Sequence, residues 1–487
     1  MKDNDEAGAE SGAASGAGAG ATAGAKDTAS QRIALTVAAA FFMETLDATV
    51  IVTALPAIGA GFGIGALDAS LAVTVYLIAM AALVPAAGWC AGRFGARRVF
   101  ALAVGTFTVA SLLCGLAPTF GALVAARVLQ GAAAAFMSPV GRLVVLRETP
   151  KHRLIEAIGT ITWPGLIAPV LGPPLGGLIA THASWRWIFL LNVPLGLVGL
   201  LLIMRLFPRR TDVARTRFDL AGFVLTAVAL AALVEGLTRL GGAHPTSATT
   251  LGLLATGAVA AALAVRHARR AAAPMLDLRA LAVPTYAIAT ATAGFVSRVA
   301  INASPFLLPL MFQIGFGMTA FQAGSMLLVY MGGNLVMKSA TTAVLRRFGF
   351  RRVLTVNGAL CAATLFACGL LSPGDPLPGI CVLLFVAGMA RSMNYTAINT
   401  LAFADVPDSA RAGASTLGTM LQQVSLALGV ALGAMVLGAS KALRDAPAVQ
   451  LVDFHHAWYV VAALMAIATL MCLRLEREAG LAVSSRR

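Results

Sequence analysis

Charged side chains are scarce in this sequence. Of its 487 residues, 12% are Asp, Glu, Lys or Arg, about half of the ~25% that is typical of soluble domains. A chain with so few charges cannot cover a water-facing surface, and hydrophobic residues make up 59% of it. The mean hydropathy of +0.84 agrees. The composition therefore excludes a soluble protein and predicts one that is embedded in a membrane.

Cysteines are few, and clusters of residues that carry chemistry are missing. The six cysteines fall in or beside apolar runs without a pairing pattern, so we expect reduced thiols that pack as small residues. The sequence has no metal-ligand spacing, nucleotide-binding loop or nucleophile arrangement. These absences argue against an enzyme, a bound metal and an organic cofactor. A sensor is disfavoured as well, because it would need a signalling domain.

Residues 1–31 are mostly Gly, Ala and Ser with scattered acids. Such a segment cannot bury a core, so the composition predicts a disordered cytoplasmic tail. It does not resemble a signal peptide, because it opens with acidic residues and has no short apolar segment before a cleavage site.

The remainder consists largely of long apolar runs. A helix that crosses a bilayer needs about 20 mostly apolar residues. By this criterion the sequence predicts fourteen transmembrane helices, at 33–55, 69–91, 98–117, 122–145, 155–181, 186–207, 219–240, 248–266, 284–311, 321–345, 352–371, 378–403, 412–439 and 456–474.

The basic residues are distributed unevenly among the connecting loops. If the amino terminus is inside, nearly all loop arginines and lysines fall on the inner side. Four lie outside or at outer helix ends, namely Arg186, Arg239, Lys441 and Arg444. Positive charge on inner loops is the rule for membrane proteins. It accounts for the net charge of +15 without a nucleic-acid partner, and it predicts an inner-membrane protein with both termini in the cytoplasm.

One octet occurs twice. Residues 93–100 read RFGARRVF and residues 347–354 read RFGFRRVL. The copies follow the second and the tenth predicted helix, which indicates that a six-helix unit was duplicated and two helices were inserted between the copies. The predicted organisation is a tail at 1–31, a six-helix bundle at 32–207, an inserted hairpin with its loops at 208–281, a second six-helix bundle at 282–475 and a tail at 476–487.

Several motifs together resemble a known family. They are LDATVIVTALP (46–56), GWCAGRFGARR (88–98), RVLQG (127–131), GLIAPVLGPPLGG (165–177), WRWIFLLNVPLG (185–196) and SPFLLPLMFQIGFG (304–317). In this order the chain resembles the major facilitator superfamily, specifically the fourteen-helix drug:proton antiporters of the EmrB/QacA type and the MdtD-like proteins among them. The resemblance implies an all-α membrane fold of two six-helix bundles. It also implies a transporter that is driven by the proton gradient and is functional as a monomer.

Two positions depart from the family pattern. The loop motif usually has an acidic residue where this chain has Gly92, and the first-helix motif often has Asn where this chain has Val52. The resemblance therefore implies cytoplasmic gating by other contacts and the loss of a polar contact to substrate.

Glu44 and Asp47 are the candidate proton-coupling residues. They lie three residues apart on the first helix and share a face near the middle of the membrane. A carboxyl group at that depth is costly unless it is protonated, paired or in a wet cavity. Competition between burial and a nearby cation or substrate makes such a group a proton carrier. Arg127 on the fourth helix is expected to pair with either acid, and a purely structural ion pair is the alternative.

Cations inside the second half suggest a substrate cavity. Arg298 and Arg391 lie near the middle of their helices, and the predicted helices of that half contain no acid to pair with them. We therefore expect both in a cavity, with Asn302, Asn394 and Gln130 as polar neighbours. Arg142 and Lys338 are explained by side chains that reach the inner interface.

Two further sets of residues complete the candidates. Arginines of the octets are expected to contact acidic helix ends of the opposite half, or else to set topology alone; with the glycine of the first turn this gating set is Arg93, Gly95, Arg97, Arg98, Arg347 and Arg351. The proline- and glycine-rich fifth helix must bend and pack closely, and the resemblance implies that it marks exporters; this set is Gly165, Pro169, Gly172, Pro173, Gly176 and Gly177.

The sequence thus predicts a proton-coupled antiporter that exports small molecules by alternating access. Lipophilic drugs fit the family and the acids of the first helix. An organic anion, such as a carboxylate or a metal chelate, fits the excess of intramembrane cations. The residues leave both substrate classes open.

Overall fold

The computed structural model describes residues 6–150, 153–208, 218–240, 247–271, 274–407 and 410–476. These ranges are helical and contain no strand. The α-helices are α1 (Glu6–Phe62), α2 (Ala66–Ala69), α3 (Leu71–Phe94), α4 (Ala96–Gly115), α5 (Phe120–Glu148), α6 (Leu154–His182), α7 (Trp187–Leu190), α8 (Asn192–Leu206), α9 (Leu220–Leu240), α10 (Ala248–Arg270), α11 (Pro284–Thr290), α12 (Ala293–Leu310), α13 (Ala320–Phe348), α14 (Phe350–Cys368), α15 (Leu377–Ala404), α16 (Arg411–Leu443) and α17 (Leu451–Cys472).

The described chain has thirteen helical segments that are long and apolar enough to cross a membrane. α14 is a further helix of 19 residues. Its first turn carries Arg351 and Arg352, which lower its mean hydropathy, and it packs between α15 and α17. With α14 the structure has a helix for each of the fourteen predicted spans, and the all-helical membrane architecture is confirmed.

The start of α1 differs from the expectation for the amino-terminal tail. The backbone is helical from Glu6, whereas the composition of 1–31 predicts disorder. Alanine has the highest helix propensity of all residues, and this segment continues into the membrane-crossing part, Ser30–Phe62. The second predicted tail, 476–487, lies outside the described residues except for Glu476.

Two bundles and a hairpin form the molecule. α1, α3, α4, α5, α6 and α8 make the first half, and α11 to α17 make the second, in which α11 and α12 are one span interrupted at 291–292. The inserted α9 packs against α3 and α16, where Leu230 joins Ala81, Met420 and Val424 in one buried cluster. α10 packs mainly on α9. The hairpin therefore covers one seam between the halves.

The repeated octets form matching turns. Gly95 and Gly349 end α3 and α13 with φ angles of 86° and 74°, a left-handed conformation that glycine adopts without a steric penalty. We call the end of the bundle that holds both turns the octet end, and the other the far end.

An arginine of each octet caps the last long helix of its own half. Arg97 donates to the carbonyl oxygen of Met204 near the end of α8, and Arg351 donates to that of Leu473 at 3.0 Å, just past α17. The sequence predicted contacts with acidic helix ends of the opposite half. In this structure these two arginines instead bind their own half. The ends of helices carry unpaired carbonyl groups and partial negative charge, which explains the attraction.

At the far end the two halves touch through small residues. A Cβ atom added to Gly177 of α6 would lie 2.3 Å from the carbonyl oxygen of Ala320, and one on Gly324 of α13 would lie 2.4 Å from that of Pro173. Gln313 donates to the carbonyl oxygen of Thr53 at 3.0 Å across the same seam. We call this set of contacts the far-end contact. It closes the space between the halves on that side.

Candidate functional site

A buried polar network surrounds Asp47. Its Oδ2 accepts a hydrogen bond from Arg127 Nη1 at 2.5 Å, and its Oδ1 accepts from Gln130 Nε2 at 2.9 Å and Asn192 Nδ2 at 3.0 Å. The side chains of Asp47 and Arg127 are fully buried. Ser111 of α4 accepts a hydrogen bond from Gln130 Nε2 at 2.7 Å. The network therefore joins four helices, α1, α4, α5 and α8. The arrangement satisfies both carboxylate oxygens, as an ionised buried acid requires.

Arg127 has further neighbours that hold its position. Its Nε donates to the carbonyl oxygen of Ala72 at 3.1 Å, and its guanidinium lies 4.2 Å from the ring centre of Tyr76. This distance is within the range of a cation–π contact. Arg127 Nη2 and the hydroxyl of Tyr76 are buried without a hydrogen-bond partner among the described residues. The sequence pointed to Arg127 and Gln130, but not to Tyr76, Asn192 or Ser111.

Glu44 lies one turn earlier on α1 in a different environment. Its Oε2 accepts a hydrogen bond from Ser138 Oγ of α5 at 2.8 Å. The residue is 5% exposed. Within the described part of the chain no arginine, lysine or histidine makes an ion pair with it. Arg127 therefore pairs with Asp47, and Glu44 makes no ion pair with a described residue.

A cavity of about 380 Å³ lies between the halves, on the octet-end side of the far-end contact. Two predicted substrate residues, Asn302 and Arg391, line it. So do Lys338, Tyr395, Gln422 and Gln423, which the sequence did not assign to a cavity. No carboxylate is among the lining side chains of this described cavity. Arg391 Nε and Asn302 Nδ2 are buried and have no hydrogen-bond partner within the described chain.

α1 separates the cavity from the acids. Its residues Thr45, Ala48, Thr49 and Val52 line the cavity, whereas Glu44, Asp47 and the network around Asp47 do not. Gln130, which the sequence placed with the substrate residues, lies in that network. One helix thus contacts a central cavity with one face and carries two buried acids on its other faces.

Comparison with known proteins then establishes the family. The sequence profile of the Major Facilitator Superfamily matches residues 37–430 and, in a second match, 290–486. The chain belongs to the major facilitator superfamily. It is therefore a multi-pass membrane transporter and not an enzyme, and the cavity between its halves is the place where members of such a fold bind substrate.

Similar proteins narrow the assignment within the superfamily. "Putative multidrug resistance protein MdtD" of Salmonella paratyphi B is 36% identical over 448 residues, which cover 91% of this chain and 94% of that protein. The protein of the same name from Escherichia coli O9:H4 is 35% identical over 459 residues, covering 93% and 96%. The predicted resemblance to MdtD-like proteins is confirmed.

Solved structures share the fold at low sequence identity. A D-xylose–proton symporter superposes with a TM-score of 0.65 at 16% identity and covers 92% of this chain and 98% of its own. An inward-open xylose transporter of E. coli superposes with a TM-score of 0.59 at 13% identity, covering 93% and 98%. These likenesses show the major facilitator fold.

Two predicted residues of the transporter cavity lie behind its wall. Arg298 donates to Asn399 Oδ1 at 2.8 Å and to the carbonyl oxygen of Ala289 at 3.2 Å, and Asn394 accepts from Ser297 at 2.8 Å. Neither lines the cavity. The guanidinium groups of Arg298 and Arg391 both lie 6.0 Å from the ring centre of Tyr395. Arg298 thus approaches the cavity through Tyr395. The sequence predicted that the side chain of Lys338 reaches towards the inner interface. In the structure Lys338 lines the cavity.

The second half does contain an acid within a span. α17 begins at Leu451, five residues earlier than predicted, and therefore includes Asp453. This side chain is fully buried and accepts from Arg444 Nε at 2.9 Å and Ser440 Oγ at 2.6 Å. The expectation of no acid in that half was wrong, because the polar start of the helix hid its boundary. Asp453 is occupied by Arg444 and does not neutralise the cations of the cavity.

The remaining motif residues lie at the octet end and along α6. Arg93, Arg98 and Arg347 are exposed at the octet end and make no ion pair with a described residue. On α6, Gly172 and Gly176 approach α1 so closely that added Cβ atoms would lie 2.2 Å from Thr49 Oγ1 and 2.4 Å from the carbonyl oxygen of Val50. Gly165, Pro169 and Pro173 line the cavity. The fifth-helix motif therefore joins the cavity wall, α1 and the far-end contact.

Proposed function

We propose that this transporter is a proton-coupled antiporter that exports small molecules from the cytoplasm, with broad drug efflux as the leading substrate class. The observation that carries the proposal is the position of α1, which lines the central cavity and holds Glu44 and Asp47. A shift or rotation of this helix on substrate binding would change the surroundings of both acids. The names of the MdtD relatives support drug efflux as the starting hypothesis.

Alternating access follows from the two ends of the bundle. The basic octet loops favour the octet end as the cytoplasmic side. The cavity lies on that side of the far-end contact, so substrate would enter from the cytoplasm. Rocking of one half against the other would break the far-end contact and release substrate outside. The proton gradient would supply the energy without a cofactor, in a monomer of the inner membrane with both termini in the cytoplasm.

A second substrate class has its own support. Arg391 and Lys338 place two cations on the cavity wall, and the lining side chains include no carboxylate. Such a wall attracts an anion and repels a cation. An organic anion, such as a carboxylate or a metal chelate, is therefore the alternative cargo of the same antiporter.

Everted inner-membrane vesicles that contain the protein test both versions. The vesicles receive an acid-inside pH gradient, and an enclosed pH-sensitive dye reports the internal pH after ethidium or tricarballylate is added. Ethidium represents lipophilic cations and tricarballylate represents polycarboxylates. Because the cytoplasmic face is outward in these vesicles, an antiporter releases internal protons as substrate enters. We expect a rise in internal pH with at least one probe.

Variants show which groups are responsible. Arg391→Gln should abolish a response to tricarballylate, and Glu235→Gln, an acid paired with Arg239 on the inserted hairpin, serves as the control that should behave like the wild type. A response to ethidium that survives Arg391→Gln would favour drug efflux. Folded, inserted wild-type protein that responds to neither probe would contradict proton-coupled export of both classes.

A further inference from the structure

The inserted hairpin leaves a groove beside the second half. Near the far end, α9, α16 and α17 surround a cavity of about 300 Å³, whose wall includes Leu240, Ala439 and Leu443. A second cavity of about 230 Å³ lies between α9, α12, α16 and α17, and the side chains that line it in the described chain are all apolar. Met435 lines both cavities, so they adjoin. We call the two together the hairpin groove.

The hairpin groove follows one face of α16. Its lining residues on this helix extend from Leu428 to Arg444 and are mostly three or four positions apart, which is the spacing of a single helical stripe. At about 1.5 Å per residue, these two ends lie about 24 Å apart. The hydrocarbon of one membrane leaflet is about 15 Å thick. The groove is therefore long enough for an acyl chain that starts beside Arg444.

α17 shows that the hairpin groove is open to the membrane. His456 and Leu464 line the groove on this helix. Val460 and Ile467 point within about 40° of His456, and they are 41% and 52% exposed. Exposed apolar side chains of a spanning helix face lipid. Lipid chains fill an apolar hollow on such a face, because a gap would lose dispersion contacts on both sides.

The far end of the hairpin groove is polar, and His456 has a free nitrogen there. Ser440 Oγ lies 2.6 Å from Asp453 Oδ1 and 2.7 Å from His456 Nδ1. Because a carboxylate in an ion pair only accepts, Ser440 donates to Asp453 and accepts from His456 Nδ1–H. His456 is exposed, and its Nε2 has no hydrogen-bond partner in the described chain. As an imidazolium, His456 would donate from Nε2 to an anion in the groove.

Arg444 supplies a cation at the same end. Three of its five N–H groups bind Asp453 and Gln450. The other two remain for a ligand, and the side chain is 26% exposed. Asp453 balances the charge of Arg444, while Lys441 lies one turn earlier on α16 and adds a second cation nearby. The polar end of the groove therefore suits a phosphate group.

We propose that the hairpin groove binds one phospholipid of the leaflet at the far end, with an acyl chain along α16 and the phosphate at Arg444 and His456. The chain lies between α9 and the wall formed by α12 and α17. The lipid therefore joins the inserted hairpin to the second half. This inference depends on the membrane fold and is independent of the proposed proton coupling.

Photolabelling tests the location and the chemistry of the site. Delipidated protein in detergent is mixed with phosphatidylglycerol that carries a diazirine on one acyl chain, and peptide mass spectrometry locates the adducts after illumination. We expect adducts concentrated on the groove residues of α16 and α17, and competition by unlabelled phosphatidylglycerol. Diacylglycerol with the same chains, and glycerol 3-phosphate alone, should compete weakly. Adducts spread evenly around the bundle, or equal competition by diacylglycerol or glycerol 3-phosphate, would overturn the proposal.

Two variants test the two ends of the bound lipid separately. Ala439→Trp fills the apolar part and should abolish the groove adducts, whereas Ala466→Trp, at an exposed position of α17 outside the groove, should label like the wild type. His456→Gln removes a charged donor and should weaken competition by phosphatidylglycerol about tenfold.

The matched control for His456→Gln is His455→Gln. The ring of His455 contacts the carbonyl oxygen of Leu371 and does not line the groove, so wild-type competition is expected. Wild-type labelling of Ala439→Trp would refute the groove as the site. Wild-type competition in His456→Gln would refute the phosphate contact.

Discussion

At the scale of single residues, the decisive feature is how burial treats each charge. Asp47 and Arg127 share a fully buried site with Gln130 and Asn192, and their hydrogen bonds are made within the protein. Glu44 is buried and Arg391 is half-buried, and neither has an opposite charge in contact within the described chain. Paired charges stabilise one structure, whereas unpaired ones favour proton exchange or ligand binding. The same helix therefore contains one acid that is paired with a cation and one that is not.

Replacement of Arg127 should be costly. Arg127→Ala leaves Asp47 as a buried charge without its cation, for which we expect a loss of about 3–5 kcal/mol in the free energy of unfolding. SDS-driven unfolding in mixed micelles measures it. The control is Arg153→Ala, which removes a partly exposed pair with Glu156 and should cost at most ~1 kcal/mol. Equal losses in the two variants would contradict a structural role for the Asp47–Arg127 pair.

At the scale of elements, contacts at the ends of helices explain why the octet occurs twice in this chain. The left-handed turns require Gly95 and Gly349, and Arg97 and Arg351 bind the carbonyl ends of α8 and α17. Each half thus ties its second loop to its own last helix. The internal repeat reflects the same local solution in both halves, not a contact between them in this conformation.

Asp219 performs a similar task for the inserted hairpin. It lies just before α9, accepts the backbone N–H of Gly222 at 2.9 Å and of Met275 at 3.0 Å, and contacts His267 Nε2 of α10 at 2.7 Å. One carboxylate therefore joins the start of α9, the end of α10 and the segment that leads to the second half. Partial burial raises the pKa of Asp219. The hydrogen bonds to Met275, Gly222 and His267 together lower it by a larger amount, so the net pKa is below the usual value.

This shift predicts a pH dependence of stability. A folded-state pKa below the unfolded value means that the stabilisation is present at pH values above the unfolded pKa and is lost as the pH falls through the folded pKa. Thermal unfolding of the wild type should therefore show a lower midpoint in acid, and Asp219→Asn should reduce this dependence below about pH 4. Asp405→Asn, at an exposed acid without a side-chain hydrogen bond to a described residue, is the control and should leave the profile unchanged. Parallel profiles for the wild type and Asp219→Asn would refute the role of Asp219.

At the scale of the whole molecule, the close packing of backbones determines which side of the cavity is closed. α6 and α13 approach each other through Gly177 and Gly324, where side chains would collide with carbonyl oxygens. Small residues allow such contacts between membrane helices without a hydrophobic driving force. The seam at α3 and α16 is instead covered by α9. The two seams between the halves are therefore closed by different means. Glycine contacts close the seam between α6 and α13, and α9 covers the seam between α3 and α16.

Widening the far-end contact should change the conformational balance. Gly324→Ala places a Cβ 2.4 Å from the carbonyl oxygen of Pro173, so α6 and α13 must separate. Nitroxide labels on Asp68→Cys and Ala442→Cys, in a background without the native cysteines, report the distance between the halves at the far end. We expect a population with longer distances. Gly332→Ala on the same helix, where a Cβ meets nothing within 4 Å, should match the parent, and an unchanged distribution in Gly324→Ala would contradict the far-end contact as a closure.

The sequence by itself determined the membrane class, the fourteen spans, the duplicated six-helix unit and the superfamily. These follow from local chemistry, because a segment in lipid must satisfy its backbone hydrogen bonds internally and therefore forms a helix wherever it is long and apolar. The tight turns at Gly95 and Gly349 could also be predicted from the sequence, because glycine adopts such backbone conformations without a steric penalty. α14 and the early start of α17 show the limit, since arginines in a first turn and a polar helix start blur the apolar pattern.

Only the tertiary structure decided which charged groups meet. Glu44 and Asp47 share one helix, yet Arg127 reaches Asp47, and Arg391 lines the cavity while Arg298 lies behind it. Likewise, Arg97 and Arg351 bind their own halves. These outcomes depend on the rotation of each helix about its axis and on neighbours that are distant in sequence. A run of apolar residues predicts that a helix crosses the membrane, but packing against other helices sets the direction in which each of its side chains points.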